Sequence, residues 1–283
     1  MKRVLVTGAT GFVGNQVVNE LLKKGFSVVA SSFSKEKAEQ QDWFAQVEYR
    51  QFDLASATPE VNYYAYFDRP DELIHLAWEG LPNYKSAFHL EENLPRHYAF
   101  LENLVMNGLR SLTVTGTCFE YGLQEGELRE DMPVFPGNFY ARAKNELRVK
   151  LEQLAVGNAV SLKWVRLFYM YGKGQNPNSL LSQLQAALDR GDESFNMSPG
   201  DQLRDYLPIE KVAENLVKIA DQQKVSGIVN CCSGKPMTVR QLVQEYLNEK
   251  NADIKLNLGF YPYSDLEPRN FWGDTTKLKT IIR

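Results

Sequence analysis

Apolar residues along the chain fall into short continuous runs and into stretches at helical spacing, and the two patterns alternate from the first residues. Residues 4–7 read as a short apolar strand. After a glycine turn, Val17, Val18, Leu21 and Leu22 recur at the spacing of a helix that Gly25 closes. The same pattern predicts strands over 26–30, 47–52, 73–77, 111–115 and 162–169. Between the later strands lie helices built on Leu94, Leu101, Leu104 and Val105, and on Leu147, Leu151 and Leu154. This alternation predicts an α/β fold, a doubly wound parallel sheet with helices on both faces.

Beyond residue 172 the rhythm changes. Helical stretches near 180–188, 212–220 and 239–247 are separated by Gly- and Pro-bearing loops such as "NMSPGDQ" and "CCSGKPM", with "GFYPYSDLEPRNFWGD" near the end. The expected division is a sheet domain over 1–170, to which later segments return, and a smaller lobe formed mainly by 171–283. That lobe would cap the carboxyl edge of the sheet, where open α/β folds bind ligands.

Composition narrows the classes. A chain of 283 residues that is 43% hydrophobic and 24% charged can bury a large core. A net charge of −3 with scattered Lys and Arg argues against a nucleic-acid partner and for a small molecule. No apolar run reaches the roughly 18 residues of a membrane-spanning helix, and the first residues leave no room for a signal peptide before the first strand. Three cysteines, Cys118, Cys231 and Cys232, lack metal-type spacing and fit a reducing cytoplasm. The histidines His75, His89 and His97 lie in separate segments without a Cys or carboxylate pattern, so no metal site is expected.

Candidate chemistry begins at "VTGATGFVGNQVV". Gly8, Gly11 and Gly14 follow a strand and open a helix, the context in which backbone N–H groups and a helix N-terminus cradle a pyrophosphate. Further on, "FYARAK" sets Tyr140 and Lys144 four positions apart, on one helix face. That spacing suits a catalytic pair and equally suits two surface side chains.

Taken in order, "TGATGFVG", "FDL" at 52–54, "HLAW", "GTCFEYG", "YARAK" and "VRLFYMYGKGQ" make the chain resemble an extended short-chain dehydrogenase/reductase over essentially its whole length. The type resembled is the NAD(P)-dependent sugar epimerase/dehydratase, with a Rossmann-type sheet. The resemblance implies cofactor contacts from Gly8, Thr10, Gly11, Phe12, Val13, Gly14, Asp53, Leu54, Leu76, Ala77, Trp78, Asn93, Thr115 and Phe168, besides Tyr140 and Lys144. It also implies that Tyr140 moves a proton and that Lys144 favours the phenolate and holds the nicotinamide ribose. Thr117 would orient the reacting oxygen. Where NAD-binding relatives place an acidic residue after the second strand, this chain has Ser31, Ser32 and Ser34 followed by Lys35 and Lys37, so NADP(H) is expected ahead of NAD(H).

Sugar dehydratases that resemble this chain carry Asp and Glu after the threonine. Here Cys118 and Phe119 stand there, which disfavours elimination of water. That leaves epimerases and ketoreductases; the serine-rich second strand favours reduction, and "GTCFEYG" and "EPRNFWGD" look most similar to reductases of nucleotide-linked 4-keto-6-deoxyhexoses, so the resemblance implies NADPH-dependent reduction of such a sugar. The alternatives are an NAD-dependent 4-epimerase and a non-catalytic NADP-sensing or scaffold protein. Candidate contacts to the nucleotide-diphosphate sugar are Trp78, Cys118, Phe119, Tyr169, Arg204 and Arg269. Tyr169 replaces the family's usual Asn, while Tyr263 and Ser264 stand where a second arginine is expected. By analogy with relatives, the helices around Leu94–Val105 and Tyr140–Leu154 would pair in a homodimer.

Overall fold

Seven parallel strands form the central sheet of the computed structural model, which describes residues 1–263 and 267–282. In chain order they are Arg3–Thr7, Ser27–Ser32, Glu48–Gln51, Glu72–His75, Ser111–Thr117, Ser161–Leu167 and Gly227–Cys231. Counted that way, their order across the sheet is 3-2-1-4-5-6-7. The order reverses beside the first strand, where Thr7 has Ser31 on one side and His75 on the other. A crevice opens at such a switch point outside the carboxyl ends of the strands, and it is the ligand position in this topology.

Alternation along the strands divides the core. Val4, Val6, Val28 and Ala30 face the helices Phe12–Lys23, Ile209–Asp221 and Thr276–Ile282. Leu5, Val29, Leu73 and Leu112 face Leu94–Met106 and Phe139–Asn158. A separate core, with Leu184, Phe195, Met197, Val243 and Leu247, holds together the helices Leu180–Arg190 and Val239–Lys250 and the parallel pair Ser194–Met197 and Lys255–Leu258.

Two expectations change. The helix near 212–220 packs on the sheet, not in the lobe. Val212, Ala213, Leu216, Val217, Ile219 and Ala220 are all buried, more apolar surface than a half-exposed lobe helix can cover, and the seventh strand follows directly as in a crossover unit. The strand expected over 162–169 stops at Leu167. Tyr169–Tyr171 then leaves the sheet and pairs with Tyr206–Pro208, turning the chain toward the lobe. Among the described residues no helix is long and apolar enough to cross a membrane.

Candidate active site

The glycine turn is built for close backbone approach. Gly8 has φ of +72°, and a Cβ there would lie 2.7 Å from the Ala77 nitrogen, while a Cβ on Gly14 would strike the Gly8 carbonyl. Gly11 caps the helix Phe12–Lys23 with no side chain on the first N–H groups and no acidic residue in the first turn, so its positive end stays open to an anion. Two clefts meet at this turn. One, of about 230 Å³, is lined by Thr7, Thr10, Ser31, Ser32, Phe33, Phe52, Leu54, Ala77 and Glu79. The other, of about 470 Å³, runs past Phe12, Val13, Gly14, Thr115, Thr117, Cys118, Phe119, Tyr140, Lys144, Phe168 and Tyr169. Gly8, Gly11, Leu76 and Trp78 border both, so the pair has the extended, two-ended form that a dinucleotide needs.

Tyr140, Lys144 and Thr117 come together in the larger cleft. Asn138 caps the helix Phe139–Asn158 by accepting from the Ala141 N–H at 2.8 Å, and the Tyr140 N–H donates to the Tyr84 carbonyl at 3.1 Å. Tyr140 is thereby seated in the first turn, its ring between Trp78, Tyr84 and His89. Burial, reinforced by Tyr84, Glu120 and Cys118, pushes its pKa well above the ordinary tyrosine value, with the Thr117 hydroxyl acting in the opposite sense. The expected lowering by Lys144 is not seen. Burial dominates, and the phenol is held in its proton-donating form.

Lys144 is only 2% exposed. Its Nζ donates to the Thr115 carbonyl at 2.9 Å and lies 4.0 Å from the centroid of the Trp78 ring. Burial brings its pKa down to about 7, while the Glu120 carboxylate pulls the other way. Thr117 ends the fifth strand. Its Oγ1 accepts from the Phe119 N–H at 3.2 Å, and its hydroxyl faces the Tyr140 oxygen, so the two are placed to act on one ligand oxygen.

Behind Thr117 sits a charged group that sequence reading passed over. Glu120, fully buried, accepts from the Thr117 N–H at 2.9 Å, from Trp164 Nε1 at 3.0 Å and from Arg166 Nε at 2.8 Å. The carboxylate is saturated by these donors and fixes the turn that presents Thr117, Cys118 and Phe119. A glutamate three residues after a strand-end threonine is a capping-box pattern and could have announced this role.

Several expected contacts lie elsewhere. Asp53 spends its carboxylate on the Ala55 N–H, and only its neighbours Phe52 and Leu54 line the smaller cleft. Asn93 is buried in a π-helical turn and lines neither cleft itself, but donates to the carbonyl of Glu79, which borders the smaller one. Lys35 pairs with Glu39 at 3.6 Å and does not line the smaller cleft, because the serine-capped helix Lys35–Glu39 aligns the two along its exposed side. Arg204 is buried and occupied. It donates to the carbonyls of Leu203 and Arg269 and to Glu267 Oε2 at 2.9 Å. Arg269 is exposed, 3.9 Å from the Tyr263 ring centroid and 3.8 Å from Asp201. The two arginines share a small recess of about 60 Å³ and not the main cleft. Ser264 lies outside the described residues. Phe33, Gln175 and Asn176, unnoticed in the sequence, line the clefts.

Residues 4–232 match the NAD dependent epimerase/dehydratase family, and the chain belongs to that family. It is 32% identical, over 95% of its length and 98% of the relative's, to a dTDP-6-deoxy-L-talose 4-dehydrogenase (NAD(+)) of Aggregatibacter actinomycetemcomitans. A dTDP-6-deoxy-L-talose 4-dehydrogenase (NAD(P)(+)) of Kitasatospora kifunensis is 26% identical over 90% of this chain and 81% of that one. The fold matches a UDP-N-acetylglucosamine 4-epimerase of Methanobrevibacter ruminantium M1, solved with UDP-N-acetylmuramic acid, at a TM-score of 0.86. That match has 21% identity and covers 99% of this chain and 91% of the other.

Proposed function

We propose that this enzyme interconverts the 4-keto and 4-hydroxy forms of a nucleotide-linked 6-deoxyhexose, acting as a 4-ketoreductase with NADPH. The carrying observation is the set of groups at one end of the larger cleft. Tyr140, whose pKa burial raises, Thr117 and Lys144 line it together, while Cys118 and Phe119 offer no acid/base carboxylate for removing water. The relatives' names agree, since a 6-deoxyhexose 4-dehydrogenase run in reverse reduces a 4-ketone.

The backbone at Gly8, Gly11 and Gly14 would hold the cofactor pyrophosphate, with Ser31 and Ser32 at the adenosine end and Lys144 near the nicotinamide ribose. When bound, the nicotinamide supplies the hydride chemistry at the sugar carbon. The protein's own part is proton transfer and positioning. Tyr140 donates the phenol proton to the oxygen as negative charge develops on it. Thr117 donates a hydrogen bond to the same oxygen, and Lys144 stabilises the phenolate that Tyr140 becomes. Hydroxyls at Ser31 and Ser32 admit a 2'-phosphate without repulsion, but Lys35 must leave Glu39 to neutralise it. The reading is therefore NADP(H), with NAD(H) also accepted. It includes a cofactor domain over 1–170, a substrate lobe mainly over 171–283, and a homodimer in the cytoplasm.

A second reading, an NAD-dependent 4-epimerase, is favoured by the absence of any cation among the residues described as lining the smaller cleft. Purified protein assayed with and without added NADPH or NADH separates the two. A reductase consumes the reduced cofactor with a nucleotide 4-keto-6-deoxyhexose, whereas an epimerase isomerises a nucleotide sugar with no cofactor added.

A further inference from the structure

Trp78 follows the fourth strand and is fixed from several sides. Its indole Nε1–H donates to His89 Nδ1 at 3.2 Å, and His89 Nε2 lies 2.9 Å from the Asn83 carbonyl, which makes Nε2 the protonated nitrogen and Nδ1 the acceptor. His97 stacks on the indole with centroids 4.6 Å apart and an interplanar angle of 29°. His97 is in turn joined through His75 to Thr7 by two contacts of 2.7 Å, tying the indole to the first strand beside the glycine turn. The indole and the Tyr140 ring lie with centroids 6.0 Å apart at an interplanar angle of 68°.

The ammonium of Lys144 sits over this ring, 4.0 Å from its centroid. Among the described residues Lys144 makes no ion pair, and its one hydrogen bond goes to the neutral Thr115 carbonyl. A desolvated ammonium without a counter-ion is costly, and the negative face of an indole is the strongest aromatic partner for it. We propose that Trp78 is a positioning residue that keeps Lys144 an ammonium beside Tyr140 through the face of its ring.

The other groups facing Lys144 leave this effect readable. His75, from the fourth strand, is held near 3 by burial. His97, from the helix Leu94–Met106, and His89, from the π-helical turn, are likewise lowered by burial, so all three are uncharged around neutrality. Glu120 is the one carboxylate acting on Lys144, and Tyr140 on its own helix stays protonated. The proposal rests on Lys144 belonging to the site, but its test reads the ammonium itself, so failure of the reductase reading would leave it standing.

The test is a pH titration of the ligand-free full chain carrying [ε-13C]lysine, followed by NMR, with the Lys144 signal assigned from Lys144→Met. Trp78→Leu should lower the Lys144 midpoint by about one pH unit, and Trp78→Phe by less. Mono-, di- and trifluorotryptophan placed at residue 78 alone preserve the shape and drain the ring face, so the midpoint should fall stepwise along the series. An unchanged midpoint across the fluorinated series, or a rise in Trp78→Leu, overturns the proposal. If Trp78→Leu does not fold, the fluorinated series alone decides.

Discussion

Two lysines are buried around the same sheet, and they are held in opposite ways. Lys163, on the sixth strand, has an ion pair to Glu72 at 3.5 Å and hydrogen bonds to Ser111 Oγ at 2.9 Å and the Ala220 carbonyl at 3.2 Å. Thr113 donates to Glu72 at 3.0 Å, and the partly exposed Lys2 lies 3.6 Å from the same carboxylate. Lys144, at the carboxyl edge, has a carbonyl and an aromatic face. Burial lowers both pKa values, but Glu72 opposes the shift at Lys163, whereas Lys144 falls to about 7. The paired charge is part of the fold. The one without a counter-ion sits at the edge where this sheet topology binds ligands, which is why the proposed function assigns chemistry to it.

The contrast is broken most sharply by removing each charge. Lys144→Met should lower turnover by about 10²- to 10⁴-fold in a cofactor-oxidation assay, whereas Lys163→Met should leave turnover per folded molecule unchanged. Stability should reverse the order. Lys163→Met leaves the buried Glu72 with only the partly exposed Lys2 at 3.6 Å and the Thr113 hydroxyl, and is expected to cost about 1–3 kcal/mol in urea unfolding, with much of it recovered in Lys163→Met combined with Glu72→Gln.

Smaller effects sharpen the same point. Because the folded-state pKa of Lys144 lies below its unfolded value, the unfolded chain holds the extra proton between about pH 7 and pH 10.5. Stability contributed by this group therefore rises with pH across that window and is flat below it. Lys144→Met should be the more stable protein near neutrality, and the gap should narrow by about pH 9; urea midpoints at the two pH values check it. The smallest change concerns Arg204, a cation that, like Lys163, already has a carboxylate. Glu267→Gln should lower KM for the nucleotide sugar by about threefold to tenfold if the diphosphate must displace Glu267, with kcat little altered. An unchanged or higher KM would place Arg204 with Lys163 as a structural ion.

Much of this was legible because it is local. The strand and helix alternation, the glycine turn and the Tyr140–Lys144 spacing are each written within a few residues, and six local motifs in order identify the family. What was not legible depends on partners brought together by packing. Arg166 reaches Glu120 across 46 residues and Glu267 reaches Arg204 across 63, so no window of sequence showed that either charge was already matched. Lys35 was hard to place for a different reason: a cation near a phosphate-sized space is informative only if it points there, and here it pairs with Glu39 one helical turn away. Trp78 was visible as an aromatic beside the cofactor, but its place under Lys144 depends on two histidines from elsewhere in the chain.

The most direct test follows oxidation of NADPH, with NADH alongside, by wild type and Tyr140→Phe acting on a nucleotide-linked 4-keto-6-deoxyhexose made in situ. The account predicts steady oxidation by wild type, and in Tyr140→Phe unimpaired cofactor binding with turnover lower by about 10²- to 10⁴-fold. Near-normal turnover in Tyr140→Phe would contradict it, as would no oxidation with any of several nucleotides.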